Sequence, residues 1–286
     1  MSAVDRLPRR VLLTLEYDGT AYAGWQRQQN GLAVQQVLEE ALTTACGHPV
    51  TVTGASRTDA GVHALGQTAH FDTPCSIPPD KYPFILNNLL PPDIRVQRGR
   101  EVPPAFHARF LSAGKTYTYR ILNTRHGSAL RRNTVYHVPV PLSLPPMEAA
   151  LPALLGTHDF AAFQAAGGTA RTTVRTLDRA ELIFREESRE LTLPLHGNAF
   201  LYNMVRIIAG TLVEIGLGKR GSDAFSRAFA SLNRLDLGFT APPQGLELTR
   251  VDYLPEAFVR PEALRWHQEE DPDHEEKEQE ASPCSD

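Results

Sequence analysis

The feature that most constrains the fold is an order of strand-like and helix-like segments that occurs roughly twice along the chain. In the first half, apolar side chains occupy every second position of residues 11–17, which is the period of a β-strand. Apolar side chains then recur at helical spacing over residues 34–45, and Gly47 follows as a helix stop. The other elements predicted in this half are a helix over 81–90 and β-like runs at 50–55, 68–72 and 94–102.

The second half begins with a strand and continues with the same mixture of elements. Residues 115–123 alternate so that Tyr117, Tyr119 and Ile121 share one face, which gives Tyr117 a defined facing. The remaining predicted elements are a helix near 145–155, a hairpin across 176–196, a long helix over 201–216 and a closing strand at 246–253.

This order predicts an α+β fold: two similar α+β halves that share a mainly antiparallel central sheet flanked by helices. The halves join near residues 103–112, so we place the N-terminal half at 1–105 and the C-terminal half at 106–267. Residues 268–286 hold nine acidic side chains and one lysine, and we expect them to be a disordered acidic tail. Since the whole chain carries −4 and this tail −8, the body carries +4, a balance that attracts a phosphate backbone.

Cysteine usage and hydropathy bear on the compartment. The three cysteines form no close pair, so we expect neither a disulfide framework nor a cysteine-rich zinc site: Cys46, Cys75 and Cys284. The first apolar run meets Glu16 too soon for a signal peptide, and the apolar segment 200–217 is interrupted by Arg206 and other polar residues. The sequence therefore predicts a cytoplasmic protein without a membrane span.

Familiar cofactor and hydrolase motifs are missing or misplaced. Residues 216–221 match GxGxxG, but they follow a predicted helix, whereas a dinucleotide site requires a strand before the motif. The chain contains no Walker A pattern, no GxSxG elbow and no HExxH motif, and its histidines are scattered. We therefore expect no metal and no cofactor.

A short turn at residues 54–64 concentrates groups that can carry chemistry. Gly54 and Gly61 allow the backbone to bend, and Asp59 lies between them with Arg57 and His63 nearby. An aspartate in such a turn does not serve an apolar core. The turn is therefore expected to present charge.

Several short motifs occur in a fixed order over about residues 11–253. In the first half they are Tyr17-Asp18-Gly19-Thr20, Gly24-Trp25-Gln26-Arg27-Gln28, Arg57-Thr58-Asp59-Ala60-Gly61-Val62-His63-Ala64 and Phe106-His107-Ala108-Arg109-Phe110. In the second half they are Lys115-Thr116-Tyr117, His158-Asp159-Phe160, Asn198-Ala199-Phe200-Leu201, Met204-Val205-Arg206 and Thr240-Ala241-Pro242-Pro243-Gln244-Gly245-Leu246. Together these motifs resemble the tRNA pseudouridine synthase A family.

The resemblance implies isomerisation of uridine to pseudouridine at positions 38, 39 and 40 of the tRNA anticodon stem-loop. It also implies a tRNA partner and a homodimer. The reaction needs no redox change, hydrolysis or energy input, which fits the lack of cofactor motifs.

The resemblance assigns the catalytic role to Asp59 and makes Arg206 its partner. An aspartate with an ordinary pKa of about 3.9 is ionised at neutral pH, so Asp59 is expected to act as a nucleophile or base. It could attack C1′ of the ribose, add to C6 of the uracil or remove the C2′ proton, and the sequence does not choose among these. Burial of the charge calls for a guanidinium beside it, and Arg206 flanks the apolar stripe of the helix predicted over 201–216.

Two further residues are assigned to substrate binding by the resemblance. Tyr117 is expected to stack on the target base, with its phenol able to help move the C5 proton, whereas Tyr119 packs in the core. Arg57 is expected to point away from the Asp59 and Arg206 pair and to contact RNA, where it offsets the free energy of extruding the uridine. His63 has the weaker role of bracing the turn.

The chain departs from the family pattern at two positions. Ser56 stands where the family usually has glycine, so a positive φ there would store strain. Tyr136 stands where a tryptophan is often found, which concerns packing rather than chemistry.

Two other functions compete with this interpretation. A non-catalytic RNA-binding module would explain the β-rich halves and the basic body. A carboxylate glycosidase acting on free nucleosides would need a second positioned acid, for which Asp159 is a candidate.

Overall fold

The alternating residues near the N-terminus form a central strand of the first half in the computed structural model, which describes residues 7–264. Within that part of the chain, eleven strands belong to one sheet. In chain order they are β1 (Arg9–Tyr17), β2 (Thr53–Gly54), β3 (His63–Thr73), β4 (Ile94–Val102), β5 (Ser112–Leu122), β6 (Tyr136–His137), β7 (Gly156–Asp159), β8 (Val174–Ala180), β9 (Ile183–Arg185), β10 (Glu190–Gly197) and β11 (Leu246–Tyr253).

The sheet runs in the order β4-β1-β3-β11-β5-β10-β8-β7, with β2 paired to β3, β6 to β5 and β9 to β10. All of these pairs are antiparallel except β3–β11 and β5–β6. The last strand of the described chain, β11, lies between β3 of the first half and β5 of the second. The two halves are therefore joined through β11, and the prediction of one mainly antiparallel sheet is confirmed.

Five α-helices accompany the sheet within residues 7–264, and they are α1 (Val34–Cys46), α2 (Tyr82–Leu89), α3 (Leu144–Ala150), α4 (Met204–Gly216) and α5 (Ala224–Ser231). α2 packs against β4 and α1, whereas α4 packs against α3 and β5. Eleven of the thirteen residues of α4 are buried, which explains the apolar run that the sequence shows there. The prediction of an α+β fold, in which helices flank the sheet, is confirmed.

Most predicted elements have their expected type, and the differences lie at their ends. β4 and β11 have the predicted bounds, and Gly47 ends α1 with a left-handed φ of 74°. The run predicted at 50–55 is a strand only at Thr53–Gly54, because residues 55–62 leave the sheet as a loop. The helix predicted from residue 201 begins at Met204, because Asn203 before it is left-handed with a φ of 61°.

The boundary that we placed between residues 105 and 106 stays a prediction. The acidic tail predicted at 268–286, with Cys284, lies outside the described residues. Cys46 and Cys75 are free thiols. No helix among residues 7–264 combines the length and apolar character needed to cross a membrane.

Candidate active site

Asp59 lies on the loop between β2 and β3, and this loop is held from both sides. The Tyr17 hydroxyl lies 2.7 Å from the hydroxyl of Thr58, and the backbone N–H of Trp25 donates to the carbonyl of Thr58 at 3.0 Å. The Gly61 N–H donates to the Tyr22 carbonyl at 3.3 Å, at a φ of 76° that favours glycine. Since each contact falls within two residues of Asp59, the carboxylate is held on a rigid support.

Two motifs of the first half, to which the sequence analysis assigned no role, support this loop. Gly24 has a φ of 103°, and a Cβ there would lie 2.5 Å from the Thr58 carbonyl oxygen. A Cβ on Gly54 would overlap the indole of Trp25, which is almost fully buried. Close packing against the Thr58 carbonyl and the Trp25 indole therefore requires glycine at both positions. The motifs that begin at Tyr17 and Gly24 contribute to the site by shaping the Asp59 loop.

The structure brings Asp59 and Arg206 together, although 147 residues separate them. The Arg206 Nη1 donates to Oδ2 of Asp59 at 3.2 Å, and the side chains are 16% and 24% exposed respectively. Burial raises the pKa of Asp59 above its ordinary value, and the Arg206 charge and hydrogen bond oppose this rise. The pair therefore keeps a carboxylate that is partly desolvated and bound to a cation.

Arg206 is itself held in place by two groups to which the sequence analysis assigned no role. Its Nε donates to the carbonyl of Ala241 at 2.8 Å, and the Ala241 N–H donates back to the Arg206 carbonyl at 3.0 Å. Its Nη1 also donates to Oδ1 of Asn203 at 2.6 Å. Asn203 is the residue directly before α4. The spacing of Asn203 and Arg206 by three positions is the signal that could have revealed this contact.

Tyr117 on β5 reaches the same loop. Its hydroxyl lies 2.7 Å from the hydroxyl of Ser56, and its ring meets the Phe200 ring edge-on at 5.1 Å between centroids. Burial raises the pKa of Tyr117 to about 12, with a further rise from the Asp59 charge and a decrease from the Ser56 hydrogen bond. The phenol therefore keeps its proton at neutral pH.

Ser56 does not have the positive φ that would store strain. Within residues 7–264, the non-glycine residues with positive φ are Arg189, Asn203 and Leu232. Serine is therefore accommodated without a left-handed backbone, and its side chain gains a partner in Tyr117. The other departure, Tyr136, meets the Phe239 ring edge-on at 6.2 Å and serves packing.

A cavity of about 830 Å³ lies between the Asp59 loop and Tyr117. Asp59, Tyr117 and Arg57 all line it, and Arg57 does so from an exposed position. Among its lining residues in the described chain Asp59 is the one acid, whereas the basic ones are Arg57, Arg109, Lys115, Arg171 and Arg175. The cavity is large enough for a nucleoside and carries an excess of positive charge.

Two candidates from the sequence lie away from this cavity. The His63 Nδ1 accepts the backbone N–H of Gly19 at 3.0 Å, and its Nε2 lies 2.6 Å from the carbonyl oxygen of Asn133. This imidazole therefore braces the loop. Asp159 accepts the N–H of Ala161 at 3.0 Å on the edge strand β7, and it does not line the cavity. The second acid that a glycosidase requires is thus not supplied by Asp159.

The described residues 7–264 contain no group of three or more histidine, cysteine, aspartate or glutamate side chains that could hold a metal ion. What the cavity does offer is one cation-bound carboxylate, a protonated phenol and a basic lining. This combination suits covalent or general-base chemistry on a substrate that itself carries negative charge.

Comparisons with known proteins agree with this chemistry. A family model described as tRNA pseudouridine synthase matches residues 14–111 and 150–254, which contain Asp59 and Arg206. The tRNA pseudouridine synthase A of Ruminiclostridium cellulolyticum is 48% identical over 245 residues, covering 86% of this chain and 100% of the relative. The proteins of that name from Acetivibrio thermocellus and from Thermoanaerobacter sp. (strain X514) are 46% and 44% identical, each with the same coverage of both chains.

Proposed function

The chain belongs to the tRNA pseudouridine synthase family, and from this premise we propose that it isomerises uridines at positions 38, 39 and 40 of the tRNA anticodon stem-loop. The activity of the family is the conversion of uridine to pseudouridine in tRNA, and this chain is an isomerase of that kind. The bond between N1 and C1′ breaks and a bond between C5 and C1′ forms, while the C5 proton leaves and N1 gains a proton. The exchange is balanced without an oxidant, a reductant or water.

The observation that carries the proposal is the contact of Asp59 with Arg206 at a basic cavity that Tyr117 also lines. In the proposed mechanism Asp59 supplies the reacting carboxylate, and Arg206 keeps it ionised and oriented. Attack at C1′, addition to C6 and removal of the C2′ proton all require this charged oxygen against the nucleoside.

The other two residues bind the substrate in this proposal. Tyr117 stacks on the extruded uracil, and its pKa of about 12 keeps the phenol protonated at neutral pH. Arg57, exposed at the cavity, binds RNA and offsets the free energy of removing the uridine from the stem.

Tritium release from tRNA labelled at C5 of uridine tests the reaction. We expect wild-type protein to release tritium and Asp59→Asn to release none, with tRNA binding retained in both. Binding without any release by the wild type would instead favour an RNA-binding module. Mapping pseudouridine in tRNA with and without the protein tests the three positions, and modification elsewhere would contradict them.

We further propose a cytoplasmic homodimer in which one anticodon arm contacts both subunits, following the resemblance noted above. Light scattering of the purified protein tests the oligomeric state. A monomer at the concentrations used for activity would contradict the model of two subunits on one RNA.

A further inference from the structure

A buried lysine lines the cavity, and neither the mechanism nor the sequence motifs gave it a role. Lys115 is 9% exposed and lies two residues before Tyr117 on β5, so both side chains leave the same face of the strand. Two residues of a strand span roughly 7 Å. The two side chains therefore leave the strand about one nucleotide's length apart.

No protein group balances the charge of Lys115 in the described part of the chain. Its Nζ makes no hydrogen bond and no ion pair there. The charges that act on it are those of Arg109 and Arg175, which are both positive. Among the described residues that line the cavity Asp59 is the one acid, and it is engaged with Arg206.

This environment disfavours the charged form of Lys115. Burial and the two arginines lower the pKa of Lys115 to about 8, whereas an ordinary lysine titrates near 10.4. The ammonium form still predominates at neutral pH. A buried cation without a partner destabilises the folded protein, and such a cation in a cavity is explained by a ligand that supplies the missing negative charge.

Arg175 gives independent support. Its Nε is buried and has no hydrogen-bond partner within residues 7–264, whereas its Nη1 donates to the Thr172 hydroxyl and the Val174 carbonyl. A guanidinium that is satisfied on one side and unsatisfied on the other is prepared for a further acceptor. Arg175 and Lys115 both line the cavity and are near enough for the Arg175 charge to act on Lys115, so one anion could satisfy both.

We propose that Lys115, with Arg109 and Arg175, forms a preformed subsite for one backbone phosphodiester of the RNA next to the reacting uridine. The inference rests on the proposed function, since it names the part of the substrate that completes this side of the cavity. A phosphodiester fits because it is the anion present at every nucleotide, and because its two non-bridging oxygens can accept from two cations at once.

The first test compares Lys115→Met with Lys81→Met, an exposed lysine that does not line the cavity. We expect Lys115→Met to weaken the binding of an anticodon stem-loop RNA by about tenfold or more. The slope of log affinity against log salt concentration should become shallower by roughly 0.7 to 0.9, as for one lost phosphate contact. The loss should appear in KM rather than in kcat, and Lys81→Met should resemble the wild type.

Thermal unfolding separates this role from a structural one. Methionine fills the space of the lysine stem without the buried charge, so Lys115→Met should unfold at a higher temperature than the wild type. A lower unfolding temperature would mean that the lysine supports the fold, and it would overturn the proposal. A decrease in kcat with unchanged KM would overturn it as well, because it would place Lys115 in the chemical step.

The second test removes the charge from the RNA instead of the protein. Stem-loop RNAs with a single neutral methylphosphonate, placed in turn at each linkage around the target uridine, are titrated against wild type and Lys115→Met. At one linkage the replacement should weaken wild-type binding about tenfold and leave Lys115→Met almost unaffected. Equal losses in both proteins at every linkage would overturn the proposal.

Inorganic phosphate serves as the competitor that distinguishes an RNA subsite from a general anion site. Displacement of the stem-loop from the wild type at low millimolar phosphate, at constant ionic strength, would overturn the assignment to the RNA backbone. Tritium release by the wild type is measured in the same preparation. If Lys115→Met binds the stem-loop as tightly as an active wild type does, the subsite alone is contradicted. If the wild type releases no tritium, the proposed function is contradicted.

Discussion

The two sides of the cavity treat buried charge in opposite ways. On one side Asp59 has its counter-charge inside the protein, in Arg206 at 3.2 Å. On the other side Lys115 has only cations acting on it, and the Arg175 Nε has no acceptor among the described residues. We infer that the reacting group is oriented before substrate arrives, whereas the binding group is completed by the RNA. Preorganisation serves chemistry, and an incomplete site serves recognition.

The largest effect is expected when the paired side loses its anion. Asp59→Asn should lower tritium release by at least roughly 10⁴-fold, because the asparagine amide cannot replace the carboxylate in any of the three routes. The protein should fold and bind stem-loop RNA as before, since the asparagine oxygen still accepts from Arg206. Single-turnover tritium release and a binding titration on one sample measure both. Release close to the wild-type rate would remove Asp59 from the mechanism.

The next test makes the paired side resemble the unpaired one. Arg206→Met leaves the Asp59 carboxylate without its cation, so activity should fall by about 10²-fold or more. The pKa of Asp59, already raised by burial, should rise further. Because the ionised form reacts, activity is lost as pH falls through that pKa. The acid limb of the pH–rate profile should therefore move to higher pH.

Arg206→Lys is the matched control, since it keeps the charge and loses the planar fork. Its acid limb should stay nearer to that of the wild type while its rate falls. Identical acid limbs in the wild type, Arg206→Lys and Arg206→Met would show that the pair does not control ionisation of Asp59.

A smaller loss is expected when the pair is kept but its orientation is weakened. Asn203→Gly tolerates the φ of 61° and removes only the amide that accepts from Arg206 at 2.6 Å. We expect activity to fall about tenfold, the scale of one hydrogen bond to a charged group. Asn203→Ala should in addition lower the unfolding temperature, because alanine is strained at this φ. Equal activity in Asn203→Gly and the wild type would mean that Ala241 and Asp59 hold the guanidinium without Asn203.

The smallest effect concerns the link between Tyr117 and the Asp59 loop. Ser56→Ala removes the hydroxyl that lies 2.7 Å from the Tyr117 hydroxyl, without a change in backbone preference. We expect kcat to fall about fivefold, near the net worth of one neutral hydrogen bond. The pKa of the phenol should rise, as followed by ultraviolet titration, because the Ser56 contact lowers it. An unchanged titration would contradict this contact.

The sequence was most informative where local periodicity decides the structure. The bounds of β4 and β11 follow from residues 94–102 and 246–253 without any knowledge of their partners. The start of α4 was misplaced because a left-handed asparagine is a single-residue event that apolar spacing cannot reveal.

Long-range placement could not be predicted from periodicity. No local pattern says that β11 inserts between β3 and β5, or that Gly24 packs against the carbonyl of Thr58. The position of Asp59 beside Arg206 came from a resemblance and a charge argument, and the structure places the two in contact. Lys115 stood in a quoted motif, but no pattern in the sequence indicates that it is buried without an anion among the described residues.

The position of β11 in the sheet also determines when the sheet can be completed during translation. β3 and β5 do not pair with each other, so the two halves of the sheet stay separate until residues 246–253 have been translated. At ordinary rates of synthesis that interval is on the order of ten seconds. During it the unpaired strand edges are accessible to chaperones and to other nascent chains.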